Sequence, residues 1–297
     1  MRVAIVSAYF NPLRSVVMLQ NHRAFVAAIE KHSDCLTIVE GVFDGVTQAK
    51  ASISVPCRFV MWQKERLLNL AISRLIEKFD AIAWIDGDVI FENPEWLEAT
   101  AETLQRCDVA QIFQQVRQSA LPEQSPVTSY ASNVTRAREL AGADFNSHGH
   151  TGYAWAARRE VLANGLFDEC IIGGADHVMA HAFTGTGACR CVSRLLGKGA
   201  LRRRFSDWCN NLPGAGQMLR LGVVPGTITH LSHGSFQRRQ YVTRNVLLDR
   251  MGFDPGHHLK RVNGGAWEWT ENADKQRRLL ESYFEQRCED EIEHASR

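Results

Sequence analysis

Four apolar runs alternate with helix-spaced segments through the first hundred residues, and this alternation constrains the fold more than any other feature of the chain. "RVAIVSAYF" is a β-rich run that stops at Asn11-Pro12, and "SVVMLQNHRAFVAAIEKH" then sets Val17, Met18, Phe25, Ala28 and Ile29 at helical spacing. "CLTIVEGVF" reads as a second strand and "CRFVMW" as a third. "QKERLLNLAISRLIEKF" is the cleanest amphipathic helix, with Leu67, Leu68, Ala71, Ile72, Leu75 and Ile76 on one broad face. "AIAWID" is strand four. Apolar strands separated by helices predict βαβ units and a mostly parallel sheet covered on both faces. Such a sheet binds ligands beyond the carboxyl ends of its strands, where Asn11, Trp62 and Asp86 fall.

Asn93-Pro94-Glu95 opens a helix over about 94 to 106, followed by strand "DVAQIFQ". Residues 115 to 132 lack any period and read as a long surface loop. "GYAWAA" is a strand, "RREVLANG" a helix, and "IIGGAD" a turn that opens the helix "DHVMAHAF". A final helix runs into the acidic "EDEIEH". No repeat or low-complexity linker divides the 297 residues, so two halves fused into one domain are expected, with 1–110 and 111–297 as the halves.

Charge excludes some classes. The 34 basic and 33 acidic residues leave +1 overall, so nothing in the balance points to nucleic acid. No run reaches the roughly 18 apolar residues of a membrane helix, and "MRVAIVSAYF" reads as a strand, not a signal peptide. A cytoplasmic protein is expected, at most peripheral at the inner face of a membrane through the basic segment 190–204, where Leu195, Leu196 and Leu201 interleave with the cations. The eight scattered cysteines read as free thiols. His177, His181, Cys189 and Cys191 could form a zinc site, but Cys-x-Cys is not the usual knuckle spacing.

"AIAWIDGDVIF" places two carboxylates, Asp86 and Asp88, at the end of strand four. On an extended strand, side chains at i and i+2 share a side about 7 Å apart. Two like charges so placed call for a cation, and a Mg²⁺-type ion that also binds phosphate oxygens fits. Gly87 between them permits close approach. The competing reading is an ordinary turn.

With this order of elements the chain resembles the metal-dependent nucleotide-sugar glycosyltransferases of the GT-A fold, in their galactosyltransferase-like branch. The resemblance rests on "WQKERLLNLAISRL...FDAIAWIDGDVIF" and on "GYAWAARREVLANGLFDECIIGGADHVMAHAF". It implies a single Rossmann-like α/β domain with a mixed, mostly parallel sheet flanked by helices. It implies Mn²⁺ or Mg²⁺ held by Asp86, Asp88 and His233, with His230 as the alternative. Residues three apart on an extended segment point opposite ways, so only one of the two histidines is expected to reach the metal. Ala8, Tyr9 and Asn11 of "SAYFNP", with Trp62, Lys64, Asn69, Asp86 and Arg239, would meet the nucleotide sugar. Arg66 borders the same region and reads as a solvated helix residue, while Arg238, Arg239 and Arg244 are placed to neutralise phosphate.

In the "Gly-Gly-x-Asp" turn Asp176 would be the general base, although Ala175 stands where the branch has an acid and its flanking tryptophans are absent; a helix cap is the other reading. Trp267 and Trp269 are either a sugar platform or core. The implied activity is a hexosyltransferase moving a sugar from a nucleoside diphosphate donor, UDP-sugar favoured, to a glycan or lipid-linked hydroxyl with inversion. A nucleotidyltransferase is the alternative enzyme, disfavoured because "SAYFNPLRS" has no glycine for a phosphate loop. A nonenzymatic glycan-binding protein is the alternative outside enzymes.

Overall fold

The computed structural model describes residues 1–144, 147–214, 218–241 and 243–291. Its centre is a seven-stranded sheet formed by β1 (Val3–Phe10), β2 (Leu36–Val42), β3 (Ile53–Pro56), β4 (Ala81–Ile85), β6 (Val109–Gln111), β9 (Ala154–Arg158) and β10 (Leu221–Val223), in the order β10-β6-β9-β4-β1-β2-β3. All neighbours are parallel except β9, which runs antiparallel to both β4 and β6. The sheet is therefore mixed and mostly parallel, and it draws strands from both halves of the chain.

Period-two alternation decides which side chain enters which layer. On β1, Ala4 and Val6 join a large core with Leu67, Leu68, Ala71 and Ile72 of α2 (Lys64–Leu75). Val3 and Ile5 point the other way, into a second core with Phe25 of α1 (Val16–Ala28) and with Trp96 and Leu104 of α3 (Trp96–Arg106). Burial on both faces is the reason these strands read as continuous apolar runs.

A smaller sheet has the order β5-β11-β7-β8, from β5 (Val89–Phe91), β7 (Gln115–Gln118), β8 (Val127–Thr128) and β11 (Thr227–His230). Residues 115–128, expected as loop, thus contain two short strands. "QVRQ" buries only Val116, too little for a period to be visible. Conversely, residues 57–62 are not a strand; β3 precedes them at Ile53–Pro56, and Trp62 N–H donates to Ile171 C=O outside any ladder. "RREVLANG" forms turns after β9 and no helix.

The second half packs α4 (Tyr130–Arg136), α5 (Ala175–Phe183), α6 (Arg190–Leu196) and α7 (Ala200–Asn210) onto the larger core. The basic segment 190–204 is thus helical; Leu196 and Leu201 are buried in the core and Leu195 packs against it. Its leucines face the protein, Arg194 pairs with Asp144 at 3.3 Å, and Arg204 pairs with the buried Glu169. Further on come α8 (Arg244–Arg250), α9 (Pro255–His258) and the hairpin of β12 (Leu259–Arg261) and β13 (Trp267–Trp269). Trp267 and Trp269 are both buried, so the core reading of these tryptophans holds. The last helix, α10 (Asp274–Gln286), ends before the acidic run, of which residues 292–294 lie outside the described residues. No described helix is long and apolar enough to cross a membrane.

Candidate active site

Beyond the carboxyl ends of β1 and β4 lies a cleft lined by Ala8, Tyr9, Asn11, Trp62, Lys64 and Asp86, among others. These two strands are parallel neighbours, Val6 opposite Trp84, so "YFN" and "IDGD" leave the sheet side by side. Asn11 shapes the exit. Its Oδ1 accepts from Ser15 N–H at 2.9 Å and its Nδ2 donates to Ser15 C=O at 2.9 Å, while Ser15 caps α1 by accepting from Met18 N–H. The Asn11 amide is thus largely engaged within the protein while its surface lines the cleft.

The two aspartates part company. β4 ends at Ile85 and residues 86–88 form a turn, so the same-side rule of an extended strand does not apply and the carboxylates diverge. Gly87 makes the turn compatible with α1: a Cβ there would lie 3.0 Å from His22 Nδ1. His22 also lines the cleft, its ring tilted 32° to that of Tyr9 with centroids 4.4 Å apart, and burial pushes it down to about 4, against the charge of Asp88.

Asp88 faces two histidines. Strand β11 pairs antiparallel with β5 so that His230 sits opposite Val89, and Leu231 N–H donates to Asp88 C=O. The Asp88 Oδ2 lies 3.0 Å from His233 Nε2 and 3.4 Å from His230 Nε2. Both histidines reach it because β11 ends at His230 and the chain turns; the expectation that only one could reach is corrected.

Each imidazole is oriented by a further residue. His230 Nδ1–H donates to Gln118 Oε1 at 2.7 Å, since the Gln118 amide nitrogen is itself donating to Tyr153. His233 Nδ1–H donates to Glu289 Oε2 at 2.6 Å. These bonds, of the kind that orient a metal-ligating histidine, turn both Nε2 atoms to Asp88, where a hydrogen on Nε2 is donated to the carboxylate and a cation in its place would meet the Nε2 lone pairs. Burial alone would raise Asp88, but the charge and hydrogen bonds of His230 and His233 outweigh it and hold the carboxylate well below its usual range.

The donor atoms of Asp88, His230 and His233 lie within 4.8 Å of one another, and the buried Asp88 Oδ1 has no hydrogen-bond partner. One carboxylate, two imidazoles and an orphaned oxygen fit a divalent cation that accepts nitrogen as well as oxygen, a description closer to Mn²⁺ than to Mg²⁺. Asp86 is not in this set.

Asp86 belongs to a second constellation. Lys64 Nζ, at the start of α2, lies 3.0 Å from Asp86 Oδ1, 2.6 Å from Asp176 Oδ2 and 3.5 Å from Glu65 Oε1. Three carboxylates share one ammonium in a nearly buried space. Burial pushes Asp86 up to about 7, against the pull of Lys64 and reinforced by Asp176 and Asp88. Burial likewise pushes Glu65 up to about 8. Lys64 stands well above its usual range because the three acids outweigh its own burial.

Asp176 is carried by the first turn of α5. The turn before it needs two left-handed glycines, Gly173 at φ +91° and Gly174 at φ +99°. A Cβ on Gly173 would meet the Arg244 guanidinium at 2.9 Å, and one on Gly174 would meet Leu195 at 2.8 Å. Asp176 is not the cap of this helix, whose N-cap position is Gly174 without a side-chain bond. It is turned to Lys64 instead.

Two expected residues lie elsewhere. Asn69 sits five positions beyond Lys64 on α2, about 140° around the helix, and its amide bonds Leu166 C=O and Asp168 Oδ2. It lies outside the cleft. Arg239 is buried behind His233, donating to His233 C=O and to Tyr241 Oη, so it braces the segment after β11 and does not line the cleft. Arg66 is not solvated: it is buried, 3.6 Å from Asp168, and donates to the carbonyls of Gly264 and Gly265.

Residues the sequence did not suggest complete the site. Arg287 and Glu289 follow α10 and enter the cleft wall, Arg287 paired with Glu289 and 5.3 Å from the Trp62 ring. Asp290 ties this segment to β1's exit by accepting from Ser15 Oγ at 2.6 Å and Val17 N–H at 3.0 Å. Their only sequence signal is the dense acidic cluster after the last helix.

No known protein family matches the chain by sequence, and no curated protein does. Solved structures of nucleotide-diphospho-sugar transferases do match over most of its length. A mutant of Drosophila β1,4-galactosyltransferase 7 in complex with manganese, UDP-Gal and xylobiose is 12% identical, covering 94% of this chain and 99% of that one with a TM-score of 0.46. Glucosyl-3-phosphoglycerate synthase from Mycobacterium tuberculosis is 13% identical, covering 91% of this chain and 87% of that one with a TM-score of 0.43.

Proposed function

We propose that this chain is a metal-assisted glycosyltransferase that moves a hexosyl group from a nucleoside diphosphate sugar, a UDP-sugar in the first instance, to a hydroxyl of a glycan or lipid-linked acceptor. The observation that carries this reading is the pairing of two adjoining constellations, which reach one cleft through Lys64, Asp86, Asp88 and His233. Asp88, His230 and His233 offer a cation site with an orphaned carboxylate oxygen, and Asp86, Lys64 and Asp176 stand beside it.

The roles follow from chemistry. Ala8, Tyr9 and Asn11 border the space for base and ribose, while Lys64 and Arg287 supply fixed positive charge on the cleft wall. A divalent cation held by Asp88, His230 and His233 would supply charge to the diphosphate as it leaves. Asp176 would accept the proton of the attacking hydroxyl, and Lys64, 2.6 Å away, keeps that carboxylate aimed. A base on the face opposite the leaving group gives direct displacement with inversion at the anomeric carbon.

Support also comes from what β1 lacks: it exits through Asn11-Pro12 with no glycine-rich loop, so the backbone cradle of a nucleotidyltransferase is missing from this position. The test is a calorimetric and activity screen of nucleotide sugars with Mn²⁺. Binding that requires the metal, followed by release of the nucleoside diphosphate, is expected. Formation of a nucleoside triphosphate and a sugar 1-phosphate when pyrophosphate is added to the nucleotide sugar would transfer the chain to the nucleotidyltransferases, and binding without turnover on any donor to the glycan-binding proteins.

A further inference from the structure

A second cluster of metal-ligating side chains lies outside the cleft lining. His177 and His181 occupy successive turns of α5, His148 comes from the loop before β9, and Cys191 from the start of α6. All four are buried, and one ligand atom from each lies within 4.8 Å of the others. The three rings stand 4.8 to 5.2 Å apart between centroids. His181 Nε2 is 3.3 Å from Cys191 Sγ. With Zn–N near 2.0 Å and Zn–S near 2.3 Å, a tetrahedral site has an N···S edge of about 3.5 Å, so this pair already has the spacing that an ion would impose.

The outer hydrogen bonds fit the same reading. His148 Nδ1 faces the Gly149 carbonyl at 2.9 Å, which can only accept, so the proton sits on Nδ1 and the lone pair on Nε2. His181 Nδ1 lies 2.9 Å from Thr186 Oγ1, whose own hydrogen has the Ala141 carbonyl 3.0 Å away. Nδ1–H therefore donates, and Nε2 faces Cys191 as a lone pair. Two histidines with Nδ1 engaged and Nε2 presented is the pattern that ligating imidazoles carry.

We propose that His148, His177, His181 and Cys191 hold one zinc ion, in a site distinct from the one at Asp88. Four protein donors close a tetrahedron and leave no position for water or substrate, so the ion is structural. Three imidazoles and a thiolate select a softer metal than the carboxylate set of the cleft, so the two sites sort different ions from one solution. The ion cross-links the loop around His148, the helix α5 and the start of α6. Asp176 precedes His177 on α5, so zinc anchors the helix that presents Asp176 to Lys64. Cys189 Sγ lies 2.9 Å from Cys191 Sγ, longer than the bond of about 2.05 Å of a disulfide. Its oxidation onto Cys191 is the competing fate of this thiol.

The test is metal analysis of the purified full chain together with the absorption spectrum of protein produced in cobalt-supplemented medium. One equivalent of zinc per chain is expected, retained in Asp88→Asn, which removes a cleft donor only. The cobalt protein is expected to show a thiolate-to-cobalt charge-transfer band in the near ultraviolet that persists in Cys189→Ser and is lost in Cys191→Ser. A wild-type chain that carries no zinc and gives no such band overturns the proposal without recourse to any variant. So does a Cys189–Cys191 disulfide in protein kept reduced during purification, or a band that follows Cys189 and not Cys191.

Discussion

The Lys64 ammonium lies 2.6 Å from Asp176 Oδ2, joining the first turn of α2 to the first turn of α5. The same nitrogen is 3.0 Å from Asp86 Oδ1 and 3.5 Å from Glu65 Oε1, so one positive charge holds together three acids whose ionised forms would repel one another. Removing one partner of a buried pair leaves the others uncompensated, which costs about 3–5 kcal/mol.

Lys64→Met is therefore expected to lose stability of that order at pH 8 and less at pH 6. Without the ammonium Asp86 and Glu65, already raised by burial, titrate still higher, and the variant regains stability as they take up protons on the acid side. Urea unfolding at the two pH values measures this. A loss below about 1 kcal/mol that is the same at both would show that Lys64 does not balance these acids.

Glu65 gives the chain a pH dependence with the opposite sign to the usual carboxylate. Burial lifts it to about 8, so between the ordinary unfolded value and pH 8 the folded state holds one proton more than the unfolded chain. Stability from this group is then full at acid pH and falls as pH rises towards 8, at up to about 1.4 kcal/mol per pH unit for a whole proton. Glu65→Gln keeps an oxygen to accept from Trp62 Nε1 and carries no titrating proton. Its urea midpoint is expected to decline less than that of the wild type between pH 5 and pH 8, and parallel declines would remove Glu65 as the source.

How much of this was legible beforehand depends on the range of the interactions involved. Leu67, Leu68, Ala71 and Ile72 mark α2, and the apolar runs mark β1, β2 and β4, because each is a local pattern that burial on a sheet face enforces. Asp88 and His233 were visible as residue types in a plausible order. Their meeting depends on β11 pairing with β5, and the second histidine joins only because β11 stops at His230. Asp86 is expected beside Asp88 for a local reason: "AIAWID" reads as a strand through Asp86, whereas the strand ends with its apolar run at Ile85, and a turn replaces the pleat. Gln118 and Glu289 were illegible. One lies on a strand that buries a single side chain, and the other arrives from the end of the chain, 56 residues beyond His233.

The cation site can be dissected from the outside inwards. Asp88→Asn is expected to abolish metal-dependent binding of a nucleoside diphosphate in calorimetric titrations with Mn²⁺. Glu289→Gln leaves all three donors in place but weakens the bond that orients His233, so Mn²⁺ affinity should fall about 10–100-fold. Asp86→Asn, which removes no donor from the converging set, is expected to keep Mn²⁺ binding. Tight Mn²⁺ binding by Asp88→Asn, or its loss in Asp86→Asn, would reassign the ligands.

Asp176→Asn separates the base from its surroundings. The amide has the shape of the carboxylate, and its oxygen can still accept from Lys64, so the turn through Gly173 and Gly174 and the start of α5 should stay in place. What it loses is the capacity to take a proton. Donor affinity is then expected to remain near that of the wild type while transfer to the acceptor falls by about 10²–10⁴-fold, the range that a positioned base contributes. Because Asp176 does not belong to the cation set, Mn²⁺ titrations of the variant should match those of the wild type. A kcat within a few-fold of the wild type would remove Asp176 from the base role. A loss of donor affinity equal to the loss of turnover would instead make it a binding residue, acting through Lys64 on the diphosphate.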